Sequence, residues 1–371
     1  MSMVEWKKLG DVCEIKTGKG ITQKDCTDDG TYPVISGGQS PMGMFKQYNR
    51  EAETVTISRV GAYAGFVSFI DKRFYLNDKC FSIIPFKHLT LHSRYLYIVL
   101  KSQEEKIKKL QSEGGVPTIN TQKLAKLQIP FPSLSEQSRI VSILDTFTAS
   151  IENLKEQIAE RRKQYEYERE KLLDLEGKEN KSIKCWGEFC EILKGNGVQK
   201  ADFTESGNGC IHYGQIYTYY GAYTYTTNKY VSEEVFEKAK RASNGDLIMT
   251  DTSENVEDIC KTVAYLGKDD IAVSNHTFIL KHKENPKFLS FSTQTNCFFA
   301  QKRQYVVGAK VSCIRPTHFA RIKIYLPPLS EQSRIVSILD TFEASIANLE
   351  AQLELRQKQY EYYRNQLLTF K

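Results

Sequence analysis

Leu134-Ser-Glu-Gln-Ser-Arg-Ile-Val-Ser-Ile-Leu-Asp-Thr-Phe147 occurs twice in this chain, the second time unchanged as Leu329 to Phe342, an offset of 195 residues. The correspondence continues beyond the identical string, pairing Arg161 with Arg356, Lys163-Gln164-Tyr165-Glu166-Tyr167 with Lys358 to Tyr362, and Leu172-Leu173 with Leu367-Leu368. Apolar residues at Ile140, Leu144, Phe147, Ile151, Leu154 and Ile158 advance in alternating steps of four and three, which is the seam of a coiled coil and not the alternation of a strand. The second copy repeats the seam from Ile335 and Leu339 to Leu353, and carries it on through Arg356, Tyr360, Tyr363 and Leu367. Pro132 and Pro327-Pro328 mark the preceding stops, Ser135 and Ser330 are read as the N-caps, and Glu136 and Glu331 follow where the helix dipole favours an anion. Each copy is therefore expected to be a helix of about 38 residues, ~57 Å at 1.5 Å per residue.

Working outward, each helix is preceded by a unit with a weaker repeat. Gly10-x-x-Cys13-Glu14-Ile15 leading to Gly18-Lys19-Gly20 is echoed by Gly187-x-x-Cys190-Glu191-Ile192 leading to Gly195-Asn196-Gly197, and Val116–Ile129 aligns with Val311–Ile324. Between these ends the similarity fades into short strands and turns, such as Thr54–Ile57, Phe66–Ile70, Asp246–Thr250 and Ile271–Val273, with helices expected near 92–111 and 286–300. The expected organisation is α+β: an α/β domain over 1–133, a helix and linker over 134–180, a second α/β domain over 181–328 and a helix over 329–371. Two such helices can pair antiparallel, giving a pseudo-two-fold arrangement of unlike heads.

Composition excludes several classes. The chain has 371 residues, 40% of them hydrophobic and 26% charged, which suits two or three globular domains and neither a disordered nor a fibrous chain. No apolar run approaches a membrane span or the core of a secretory signal, so a cytoplasmic protein is expected. Nine cysteines, an odd number without a C-x-x-C pair, read as reduced thiols, and Cys185 and Cys190 lack a histidine at zinc-ligand spacing. A net charge of +6 permits a polyanionic partner. Neither Asn-Pro-Pro-Tyr nor Asp-Pro-Pro-Tyr is present, nor is a G-x-x-x-x-G-K-[ST] loop, and the Gly-x-Gly pairs lack the third glycine and the ribose-binding acid of a dinucleotide site. Asp174-x-Glu176-x-Lys178 lies in a charged linker and reads as a solvated helix end.

Pro132-Ser133-Leu134-Ser135-Glu136-Gln137 and Pro327-Pro328-Leu329-Ser330-Glu331-Gln332, each opening a long helix behind a variable domain, resemble the specificity (S) subunit of type I restriction-modification systems. Ile57–Gly65 in the first variable domain, and Ile211–Tyr217 with Gly245-Asp246-Leu247-Ile248 in the second, add to a likeness that runs over essentially the whole chain. The resemblance implies two target-recognition domains reading a bipartite, asymmetric site in double-stranded DNA. It also implies that two methyltransferase (M) subunits and, in the full complex, restriction and translocase (R) subunits bind a chain that does no chemistry itself. S-adenosylmethionine, ATP and Mg would then belong to those partners, with no cofactor or metal in this chain and no membrane involved.

Base readout calls for Arg, Lys, Asn and Gln on loops, with other cations on phosphates. In the first domain Gln39, Arg59 and Tyr63 are the expected readers, with Lys16, Lys19 and Lys46 on the backbone. In the second domain Gln215, Tyr217, Tyr219, Tyr220, Thr252, Ser253 and Asn255 are expected to read, and Lys302, Arg303 and Lys310 to hold phosphates. Shared outward residues of the repeat, Glu136, Gln137, Arg139 and Asp145 with Glu331, Gln332, Arg334 and Asp340, read either as two equivalent docking faces or as the trace of recent duplication. Arg161 and Arg356, which interrupt the seams, read as register-setting residues. A coiled-coil scaffold with protein-binding heads, or a stand-alone DNA methyltransferase or nuclease, are the alternatives.

Overall fold

The computed structural model describes residues 4–112, 115–308 and 311–370, excepting the side chain of Lys181. It divides into two units, one formed by residues 1–156 with 350–371 and the other by 157–349, so that each long helix contributes to both.

In the first unit, four antiparallel strands lie in the order Cys13–Thr17, Cys80–Pro85, Thr54–Ser58, Val67–Ile70. Their inward residues Val55, Ile57, Val67, Phe81 and Ile83 pack against Tyr95, Leu96, Val99 and Leu100 of the helix Ser93–Ser102. Ile140 and Leu144 of the long helix close the same core, and Tyr360, Leu367, Leu368 and Phe370 lie against it. A smaller sheet sets Tyr32–Ile35 between Met44–Phe45 and Tyr75–Leu76.

The second unit repeats this with different side chains. Glu191–Lys194, Thr277–Lys281, Leu247–Thr250 and Thr262–Tyr265 form the equivalent sheet, lengthened by Tyr223–Thr224. Phe288, Leu289, Phe291 and Phe298 cover it together with Ile335, Val336 and Leu339. A four-stranded sheet, ordered Lys229–Val231, Asn208–Ile211, Ile271–Val273, Lys240–Ala242, replaces the smaller one. The helices expected near 92–111 and 286–300 are each broken in two: Ser93–Ser102 is followed by Glu104–Lys108, and Pro286–Ser292 by Asn296–Arg303. In the second case the Thr295 hydroxyl accepts the Phe298 amide and caps a fresh helix start.

The two long helices span Leu134–Leu173 and Leu329–Leu368, 40 residues each. Early residues of one meet late residues of the other. Phe147 stacks on Tyr363 at 5.2 Å in the first unit, and Tyr165 approaches Phe342 at 6.4 Å in the second, so the pair runs antiparallel. Seam residues Ile140, Leu144, Leu154 and Ile158 are buried, as are Ile335 and Leu339. The arginines interrupting the seams have matching places: the Arg161 guanidinium lies 5.7 Å over the Phe342 ring and Arg356 lies 5.6 Å over Phe147.

One expectation fails at the helix starts. Ser133 is the N-cap, its hydroxyl accepting the Glu136 amide at 3.4 Å and its carbonyl the Gln137 amide at 3.0 Å. Ser135 falls inside the first turn, and so does Ser330, where the carbonyl of Pro328 accepts both Glu331 and Gln332 amides. A serine is read as a cap by type, but the chain direction fixed by Pro132 and Pro327-Pro328 starts each helix two residues earlier.

The second unit also carries an acid-sensitive element. His212 and His282 are held below the ordinary imidazole value, first by burial, and for His212 also by the positive charge of Lys200. The Glu284 amide donates to His282 Nδ1, leaving Nε2 a buried donor without a partner among the described residues. The unfolded chain therefore binds more protons than the folded one just below pH 6.5, and stability rises with pH there. Amide exchange in Leu247–Thr250 and Thr277–Lys281 is expected to accelerate as pH falls through 6.5, after correction for intrinsic rates. Replacing His282 by Phe should flatten that dependence.

Candidate nucleic-acid interface

Side chains at the strand ends of both units are set by the same backbone joints. In the first unit Gly18 N donates to Cys80 O at 3.4 Å, Asn77 N to Ile35 O at 2.9 Å, Arg59 N to Lys79 O at 2.8 Å and Ile119 N to Arg59 O at 2.8 Å. In the second, Gly195 N donates to Thr277 O at 3.0 Å, Ser274 N to Ile211 O at 3.1 Å, Asp251 N to His276 O at 3.1 Å and Ile314 N to Asp251 O at 3.1 Å. A Cβ on Gly18 would lie 2.0 Å from Leu76 O, and one on Gly195 would lie 2.4 Å from Ser274 O, so these Gly-x-Gly segments are close backbone crossings. The joints equate Arg59 with Asp251 and Lys79 with His276. The similarity between the middles of the two heads nearly vanishes in sequence, because main-chain groups carry it.

In the first unit the loops around 18–20, 36–40, 59–65 and 77–79 gather in this way. They present Lys19 and Gln39, both exposed, and Tyr63, 47% exposed. Arg59 joins them, its Nη1 3.4 Å from Asp78 O and its guanidinium 5.8 Å over the Phe81 ring. Exposed Lys79 belongs to the same cluster and was missed; its signal was the polar Asn77-Asp78-Lys79 turn opening a buried strand. Lys16 and Lys46 are exposed but paired, with Glu14 at 2.7 Å and Asp29 at 2.9 Å, and Lys46 follows the Met44–Phe45 strand of the smaller sheet.

The second unit confirms fewer of its expected residues as surface groups. Gln215 is a helix-start residue, its Oε1 accepting His212 N at 2.7 Å and its Nε2 donating to Asn228 Oδ1. Tyr220 is 6% exposed in the core, its hydroxyl hydrogen-bonded to Asn228. Tyr217 is half-buried and donates to Thr252 O, while Ser253 is buried in a short strand beside Ser312. Lys302 is 4% exposed, its ammonium donating to Glu257 O at 2.8 Å and Ile259 O at 2.7 Å. Burial lowers its affinity for a proton, and its role is to pin a loop, not to meet a phosphate. Tyr219, Asn255 and Arg303 are exposed, although both ends of the Asn255 amide hold Asp258. Thr252 is half-buried at the Asp251 joint. Lys310 lies outside the described residues.

Beside that joint aromatic rings cluster, with His276 the exposed one among them. Tyr213 faces His212 at 4.4 Å, Tyr217 at 6.4 Å and His276 at 5.3 Å between ring centroids. Asp251, 4% exposed, holds the Lys194 ammonium, so the cation here comes from the edge strand Glu191–Lys194 and not from the position Arg59 occupies in the other unit.

The repeated strip on the long helices is narrower than its sequence suggested. Gln137 and Gln332 are both fully buried and dock nothing from outside. Gln137 Oε1 accepts His92 N at 2.8 Å, and its Nε2 donates to Thr90 O and Pro132 O, both at 3.0 Å. Gln332 Oε1 accepts Asn285 N at 2.9 Å, and its Nε2 donates to Pro327 O at 2.8 Å and Glu284 Oε2 at 2.6 Å. Asp145 turns to Arg94 at 2.9 Å and Asp340 to Lys287, each within its own unit. What stays outward is equivalent in the two copies. Glu136 with Arg139 and Glu331 with Arg334 form forked pairs at 2.7–2.8 Å, among exposed Ser138, Ser142 and Thr146 and their counterparts Ser333, Ser337 and Thr341.

Among the described residues no group of three or more His, Cys, Asp or Glu could hold a metal ion, and no helix is long and apolar enough to cross a membrane.

Known proteins share this sequence and fold. The specificity subunit of an Escherichia coli type I restriction enzyme is 27% identical, over 99% of this chain and 94% of its own length. A Mycoplasma pneumoniae sequence named as a type I specificity subunit is 28% identical, over 89% of this chain and 97% of its own. The crystal structure of a type I restriction-modification S subunit from M. genitalium superposes with a TM-score of 0.60 at 17% identity, covering 99% of this chain and 97% of that one, which extends the likeness to the fold. The model of the type I restriction modification DNA specificity domain matches residues 1–161 and 178–356, and with both heads and most of both long helices inside that match, the chain belongs to the type I restriction-modification specificity subunit family.

Proposed function

We propose that this chain reads an interrupted, two-part site in double-stranded DNA, one half with each unit, and that the halves differ in sequence. The observation that carries this reading is the recurrence of four backbone joints bearing unlike side chains: Arg59 and Lys79 in one unit stand where Asp251 and His276 stand in the other. Equal scaffolds give equal approaches to the duplex, and unlike side chains give unlike base preferences. The matched strips around Glu136–Arg139 and Glu331–Arg334 favour two copies of one partner, a methyltransferase subunit, with restriction subunits joining the full complex. The chain itself is non-catalytic and works in the cytoplasm. S-adenosylmethionine supplies the methyl group and ATP with Mg the motor chemistry, all bound by the partners, and the target base leaves the stack to reach the methyltransferase.

Exchanging residues 181–328 for another recognition domain is expected to replace one half-site and preserve the other, read by methylome sequencing of a host carrying the assembled system. Loss of both halves would show that the units do not read independently. Salt-dependent duplex binding by the complex separates this reading from a protein-binding scaffold, which would give no slope tracking phosphate contacts. Methyl transfer to DNA by the purified chain alone would instead establish an enzyme.

A further inference from the structure

We infer that His276 reads a base edge in the half-site served by the second unit, accepting a hydrogen bond from an exocyclic amine, and that it stands where Lys79 stands in the first unit. The inference rests on the DNA-reading function proposed above and names one of its specificity determinants.

The turn that carries His276 is held from several sides. Ser274 N donates to Ile211 O at 3.1 Å, Ser274 Oγ accepts Tyr213 N at 2.9 Å, Thr277 Oγ1 donates to Ser274 O at 2.6 Å, and Asn275 Oδ1 accepts Gly197 N at 3.2 Å. Within this frame His276 adopts φ +64°, a left-handed conformation that a side chain bearing a Cβ enters at a cost. The conformation leaves the imidazole exposed at the tip, edge-on to Tyr213 and next to Thr252.

Hydrogen-bond bookkeeping then fixes which ring nitrogen faces out. The Thr252 hydroxyl has one proton and donates it to Asp251 Oδ1 at 2.9 Å. Toward His276 Nδ1, 3.3 Å away, it can only accept, so Nδ1 carries the ring proton. In the neutral ring Nε2 is then a bare acceptor, and it has no partner among the described residues. In the major groove an acceptor complements the N4 amine of cytosine or the N6 amine of adenine, and repels the O6 of guanine and O4 of thymine. Lys79, at the equivalent turn, is a pure donor and suits those carbonyls instead. One backbone joint thus presents opposite hydrogen-bond polarity in the two halves.

The test uses the complete complex and duplexes carrying all four base pairs at every position of both half-sites. His276→Gly and His276→Asn both accommodate the left-handed backbone, which guards against misfolding. His276→Gly is expected to lower discrimination at one base pair of the second half-site by about 5- to 150-fold, the range for a well-placed base contact. The first half-site and the salt slope should not change. Thr252→Val, which frees the ring to take either tautomer, should weaken the same discrimination, and Lys79→Gln should act only on the first half-site. A uniform loss of affinity across sequences with a shallower salt slope would make His276 a backbone contact and overturn the inference, as would intact discrimination in both His276 variants. If the unaltered complex shows no sequence preference, it is the proposed function that fails.

Discussion

Gln332→Leu is expected to destabilise the second unit by about 2–4 kcal/mol, among the largest effects a single substitution outside the apolar core can have here. Leucine fills nearly the same volume, so little cavity forms. The loss comes from orphaned partners: the Asn285 amide, the Pro327 carbonyl and one oxygen of Glu284 all lose their bond to the buried amide. Gln137→Leu strips the His92 amide and the Thr90 and Pro132 carbonyls in the same way and should weaken the first unit alone. Denaturant unfolding followed by hydrogen exchange would assign each loss to its unit, with His92 and Asn285 amides exchanging first. A change below about 0.5 kcal/mol, the range of ordinary surface substitutions, would show that water replaces the glutamine.

Arg139→Glu and Arg334→Glu are expected to remove one methyltransferase subunit each from the complex, and the double variant both. Each substitution breaks a forked ion pair and places two carboxylates three residues apart on an exposed helix face. The chain itself should lose little stability, because exposed pairs contribute roughly 0–1 kcal/mol, whereas a partner that meets the reversed charge faces repulsion across its interface. Native mass measurement of the assembled complex reads the outcome directly, as two, one or no partners per chain. Two partners still bound to the double variant would remove the strip from the docking surface.

The long helices were legible because their seam is a pattern of residue types, and the outer ends of the heads because Gly10 and Gly187 leave room for Ala125 and Ala320, where an added Cβ would lie 2.9 Å from the alanine Cβ in both copies. The middles were not legible, since Arg59 and Asp251, or Lys79 and His276, share a place through main-chain bonds that impose no residue type. Site residues failed for a related reason. Gln137, Gln332, Gln215 and Lys302 are polar by type, and polar type reads as surface. Here each is sunk beneath the surface or engaged at a helix start, and neighbouring carbonyls and amides satisfy it. Tyr220 shows the converse: an aromatic with a polar tip fits a reading loop or a core equally well, and the Asn228 side chain decides for the core. Lys79 and His276 escaped notice because a short polar turn between strands is the commonest reading of such a segment.

The buried glutamines also bear on how such chains diversify. Gln137 grips three main-chain atoms and no side chain at all, and Gln332 adds only the Glu284 carboxylate to two main-chain partners. A coupling that addresses the peptide backbone is blind to substitutions around it. Heads can therefore drift, or be replaced wholesale, while the same plug keeps seating in the same socket.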